Sequence, residues 1–196
     1  MSMNVVIIVV VIGVIAGDMA GLYYFARRFG AFVPVKPETK TIEPMWIAYN
    51  THSGPYQLIG PVCDGVCRAW TETSGADAEL GFGMYFDNPR QMAKDQLRSL
   101  GGCIIPADKA QGLLNTTLPF RIAALPGGRA VVVRFPFCGR MSIMVGAMRV
   151  YPKMGRHITE AGLPDGPMME IYDMNAGEIR YVRPLDIPNE ELERLL

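Results

Sequence analysis

The run "VVIIVVVIGVIAGDMAGLYYFA", Val5 to Ala26, constrains this chain more than anything that follows it. It carries one charge, Asp18. A bilayer-spanning helix needs about 20 mostly apolar residues, and the run supplies them. A cleaved secretory signal would want a basic stretch ahead of the apolar one, and "MSMN" has none. Tyr23, Tyr24 and Phe25 also carry the run beyond the usual apolar region of a signal. The expectation is a single uncleaved transmembrane helix over residues 5–26, with the lipid bilayer as its partner. Arg27 and Arg28 follow at once, then Lys36 and Lys40, while nothing basic precedes the run. Positive charge gathers on the cytoplasmic side of a span, so the N-terminus is expected outside and the following domain in the cytosol. The membrane would be the endoplasmic reticulum in a eukaryote and the inner membrane in a bacterium. Asn115-Thr116-Thr117 forms a glycosylation sequon, which matters only if the domain is luminal instead.

Within the run, Gly13, Gly17 and Gly21 recur every fourth residue, with Ala16 and Ala20 beside them. Small residues at this spacing let two helices approach closely, which makes a homodimer through the span one expectation. The alternative is that glycine is simply common in membrane helices. Asp18 sits toward the cytoplasmic end, where it can reach headgroups or pair across a helix interface.

Residues 30–44, "GAFVPVKPETKTIEP", hold three prolines and no periodicity, and read as a tether. A domain is expected over 45–188, with a short acidic tail at 189–196. The whole chain is 49% hydrophobic with zero formal net charge, which argues against disorder and against a nucleic-acid partner. Four cysteines form no CxxC and only two histidines are present, so no metal site is expected. There is no GxGxxG, Walker loop or HExxH, and no cofactor is expected.

Strands are read at 45–52, 80–88, 96–105, 129–137, 167–175 and 178–185, and helices at 56–70 and 141–162, the second kinked or broken at Pro152. "WIAYNTHSG" (46–54) aligns with "VVVRFPFCG" (131–139), and "MYFDN" (84–88) with "EIYDM" (170–174). Gly54 to Met84 is 30 positions and Gly139 to Glu170 is 31. The agreement in spacing points to two β-α-β-β units, because each copy must close the same supersecondary unit. The fold class is therefore α+β: helices on one face of a curved antiparallel sheet, the other face left as a groove, preceded by a single transmembrane helix.

Alternation places Met168, Glu170 and Tyr172 on one strand face. By the repeat alignment, Met84 and Phe86 join them, with Trp46 nearby. An apolar, aromatic surface holding one carboxylate suits a lipophilic cation, through ring area, cation–π attraction and counter-charge. It equally suits a general acid, because apolar surroundings raise a carboxylate's pKa. The third reading is structural: Glu170 pairs with Arg134, Arg180 or Arg183 of its own sheet. Whether an arginine lies against Glu170 decides between them.

"IAYNTHSGPYQLIG", "GMYFDNPRQM" followed by "QLRSLGGCI", and "MMEIYDMNAGEIRYVRPL" resemble the gyrase-inhibitor-like small-molecule-binding domain, related to the SOUL haem-binding fold. With its anchor, the chain is similar to the testis-expressed ER-phagy receptor family. The resemblance implies a duplicated β-α-β-β fold and a ligand groove in which Glu170 meets cationic compounds. It also implies that some relatives use the equivalent carboxylate in hydrolysis of cyclopropane-bearing compounds. For the anchored branch it implies an endoplasmic reticulum membrane protein with cytosolic protein partners, acting in ER-phagy and as an adaptor in DNA–protein crosslink repair. That branch carries its autophagy-protein-binding motif in a long tail; after Tyr181 this sequence has no aromatic residue from which to build one.

Overall fold

A computed structural model describes the chain at residues 3–78 and 80–196, with the backbone alone at Val5, Val6 and Val9. The apolar run forms one helix, α1 (Met3–Arg28), long and apolar enough to cross a membrane from Val10 to Arg28. Among the described residues, none buries any part of that stretch. Arg27 and Arg28 close its last turn, where cations favour the helix dipole.

The strands are β1 (Glu38–Ile42), β2 (Met45–Ser53), β3 (Leu80–Tyr85), β4 (Arg98–Ile105), β5 (Arg121–Leu125), β6 (Gly128–Pro136), β7 (Met168–Asp173) and β8 (Glu178–Pro184). The remaining helices are α2 (Gly60–Ser74), α3 (Ala107–Leu113), α4 (Arg140–Glu160) and α5 (Asn189–Glu193). All eight strands join one curled antiparallel sheet in the order β1-β6-β8-β7-β3-β4-β2-β5. Two β-α-β-β units are visible in that order, β2-α2-β3-β4 and β6-α4-β7-β8. They meet at β3 and β7, with β1 and β5 added at the outer edges. The two units also begin their helical arms alike. Gly54 ends β2 at φ +132° and Gly139 precedes α4 at φ +101°, conformations that side chains disfavour.

Two expectations about the periphery need correction. The stretch read as a tether contains β1, which pairs with β6 from Glu38↔Val132 to Ile42↔Gly128. Its β-branched Thr39, Thr41 and Ile42 suit a strand, while the flanking Pro37 and Pro44 gave the stretch a linker's composition. The stretch read as a tail contains α5, whose Leu192 is buried.

The sheet face away from α2 and α4 is not an open groove. It holds the larger core, with Ile47, Phe82, Met84, Leu100, Met169 and Ile171 buried together. Ile187 and Leu192 are buried with them, and Leu195 and Leu196 pack alongside. On the opposite face, α4 covers Val131, Val133, Ile179 and Tyr181 through Val150, Met154 and Ile158. There α2 covers Ala48, Cys103 and Ile105 through Val66 and Trp70. Glycines bring the strands and α2 close: a Cβ at Gly102 would collide with the Ala48 carbonyl, and one at Gly101 with the Cys63 thiol. Pro152 does not break α4. It lies on the exposed side of the helix, where water can serve the carbonyl it leaves without a partner.

Candidate functional site

Glu170 lies at the middle of β7, on the helix-covered face. It is only 3% exposed. Tyr172, two residues on and therefore on the same face, donates its hydroxyl to Glu170 Oε2 at 2.5 Å. Tyr151 reaches down from α4 and donates to Glu170 Oε1 at 2.6 Å. Both carboxylate oxygens are thus held by phenols, one from the sheet and one from the helix above it.

Two further tyrosines complete the surround. Glu170 is paired with Gly83 of β3 on one side and Tyr181 of β8 on the other. Tyr85 folds over Gly83, whose missing Cβ leaves room for the phenol, and its hydroxyl lies 3.3 Å from that of Tyr172. The Tyr181 ring meets that of Tyr151 edge-on, with centroids 5.7 Å apart. Its hydroxyl is buried without a partner among the described residues, in the space left by the absent side chain of Gly146. Tyr85, Tyr151 and Tyr172 each keep a partly exposed edge. The carboxylate therefore sits one side chain beneath the surface, between the strands that carry α2 and those that carry α4.

No cation balances it among the described residues. Arg134 and Arg180 both turn to Glu178, at 3.6 Å and 3.9 Å. Arg183 is buried and donates to the Pro164 carbonyl at 3.1 Å and to Asn189 at 3.2 Å. The structural pairing with an arginine is therefore not what holds Glu170 in the strand. Burial raises the Glu170 pKa above the ordinary carboxylate value, and the hydrogen bonds from Tyr151 and Tyr172 oppose that rise. Burial, and then the charge of Glu170, push the phenols of Tyr85, Tyr151, Tyr172 and Tyr181 upward. At neutral pH these hydroxyls remain protonated donors.

The sequence-predicted residues separate into two groups. Tyr172 joins Glu170. Met84 and Phe86 do not: Met84 is paired with Met169 and faces the core on the other side of the sheet, and Phe86 packs against that same core. The error is one of register. Aligning Met84 with Glu170 is one residue out, and a one-residue slip turns every side chain to the other face. Aligning the two strands on Tyr85 and Tyr172 places Gly83 on Glu170, as the pairing does. Trp46 packs with the cluster around Trp70 and Phe120 under α2, with β4 and β3 between its strand and β7. Gly13, Gly17 and Gly21 would each meet nothing with an added Cβ, and Asp18 is exposed on the same helix. Tyr85, Tyr151 and Tyr181 escaped sequence reasoning; the tyrosine-on-tyrosine alignment was the available signal for the first of them.

No protein-family model matches the chain. It is similar to testis-expressed protein 264 of Homo sapiens, 26% identical over 162 residues, which cover 79% of this chain and 49% of that protein. The Mus musculus homolog is likewise 26% identical, over 160 residues, with 78% and 49% covered. The chain thus spans about half the length of these curated relatives. Among solved structures, a cryo-EM structure of an EcmrR–DNA complex aligns with a TM-score of 0.56 and 14% identity, covering 89% of this chain and 68% of that one. The crystal structure of the EcmrR C-terminal domain aligns with a TM-score of 0.52 and 11% identity, covering 79% and 99%. The fold is that of the gyrase-inhibitor-like domains.

Proposed function

We propose that this chain is a single-pass membrane protein whose domain binds lipophilic cations at Glu170 without transforming them. The observation that carries the reading is a buried carboxylate ringed by tyrosines and matched, among the described residues, by no arginine or lysine. Burying an uncompensated carboxylate is costly, so a sequence that keeps one there has a use for its charge. Aromatic rings with one acidic group attract a bulky organic cation by cation–π interaction and by charge, and a neutral molecule gains neither. The resemblance to the testis-expressed ER-phagy receptor family, with Arg27 and Arg28 directly after the apolar run, favours α1 in the endoplasmic reticulum membrane with the domain in the cytosol. It also supports a receptor or adaptor role toward protein partners there, including ER-phagy.

The test compares thermal stabilisation by tetraphenylphosphonium and by the neutral triphenylphosphine oxide. The cation should raise the melting temperature of the wild type, and Glu170→Gln should abolish most of that rise. Equal shifts for both proteins would refute the reading. A hydrolytic role is the second reading, favoured by the raised carboxylate pKa beside tyrosine donors. Its mark would be turnover of a strained-ring substrate that disappears in Glu170→Gln.

A further inference from the structure

We infer that the outer face of α4 rests on the surface of the lipid bilayer, as a second membrane contact beside α1. The inference depends on α1 being a membrane span. Met141, Met144 and Met148 are 40%, 58% and 76% exposed. At spacings of three and four they form one ridge along the helix. The outer face of a helix packed on a soluble domain is ordinarily polar. Here the ridge continues through exposed Pro152 and Gly155, so the outward face stays uncharged over most of the helix.

The flanks carry charge of one sign. Arg140, Arg149, Lys153 and Arg156 lie on α4, and no acidic residue appears before Glu160. An apolar ridge bordered by arginine and lysine is the arrangement of an interfacial helix: the apolar side enters the headgroup region and the cations meet anionic lipid. Methionine suits such a face, being unbranched and adaptable to an irregular apolar surface.

The occupant follows from where α1 leaves the domain. Arg149, next to Met148, donates its guanidinium to the Gly30 carbonyl, two residues beyond the end of α1. Gly30 is pressed against Phe135 and Pro136, leaving no room for a side chain. The exit of the span is therefore fixed to the same stretch of α4 that carries the methionines. Phe32, 60% exposed, lies against Tyr23 of the span with ring centroids 5.4 Å apart, so apolar surface continues past the end of the span. A bilayer that receives α1 meets this ridge without any further partner having to be recruited.

The test uses the full chain reconstituted in vesicles of phosphatidylcholine with about one-third phosphatidylserine, an anionic surface. A bimane label is placed by Met148→Cys or, on α3, by Lys109→Cys, with the unsubstituted chain giving the background from native cysteines. Lipids bearing a nitroxide near the headgroup should quench most of the emission at 148 and little at 109. Equal, weak quenching at both positions in chains that float with the vesicles would overturn the inference while leaving the anchor intact. Chains that fail to float would overturn both. Weak quenching at 148, with blue-shifted emission that fades as chains are diluted in lipid, would give the ridge to a second copy and overturn the bilayer contact.

Discussion

At Glu170 two forces oppose one another: burial favours the protonated acid, and two phenol donors favour the carboxylate. The net direction is upward, so the folded state holds this proton more tightly than the unfolded chain does. The stability it contributes is complete below the unfolded carboxylate value of about 4.3 and is lost as pH rises through the raised folded value. Glu170→Gln has no such loss. Thermal melts from about pH 4 to about pH 8 should therefore show the variant gaining on the wild type as pH rises; a constant difference would contradict the raised pKa. Tyr151→Phe removes one of the two donors and should cost about 1.5–3 kcal/mol at neutral pH, the range for hydrogen bonds to charged groups. Urea unfolding should find that cost shrinking in acid, where the carboxyl is neutral. Glu170 itself was legible in the sequence, because a charge inside an apolar strand stands out. Its partners were not. Tyr151 lies 19 positions upstream on a helix, and the Tyr85 hydroxyl that meets Tyr172 lies 87 away, with its face set by a register that alternation alone does not fix.

Among the elements, those that sequence periodicity recovered are the ones with enough length to show it: α1, α4 and the strands of the two units. Those it missed, β1, α3, β5 and α5, have five to seven residues each and owe their structure to what they pack against. β1 and α5 read as linker and tail because neither can form alone. The face away from α2 and α4 was misjudged for the same reason, since α5 and Ile187 cover a surface that the strands by themselves would leave bare. The contribution of α5 is measurable. Leu192 is 1% exposed, and Leu192→Ala should lower stability by about 2–5 kcal/mol, as other buried leucine truncations do. A change within about 0.5 kcal/mol, the range of surface substitutions, would show that the segment does not pack in solution.

For the whole molecule, the duplication explains why the units meet at β3 and β7 and why a single charge lies at their junction. One copy presents Gly83 there and the other Glu170. The apolar helix α1 offers a different symmetry. If Gly13, Gly17 and Gly21 form a seam, two chains pair along α1, and Gly17→Ile should weaken crosslinking in membranes while a change of similar bulk at Leu22 should not. Crosslinking unaffected by Gly17→Ile would remove the dimer. The clasp of Tyr151 and Tyr172 on the carboxylate has a consequence for time rather than affinity. On the proposed binding role, a ligand would reach Glu170 only in molecules in which the phenols have already let go of it, so each encounter would wait on an internal opening. In stopped-flow mixing with tetraphenylphosphonium, the observed rate should therefore level off as concentration rises, at a ceiling set by the protein alone. Tyr151→Phe, with one latch removed, should lift that ceiling.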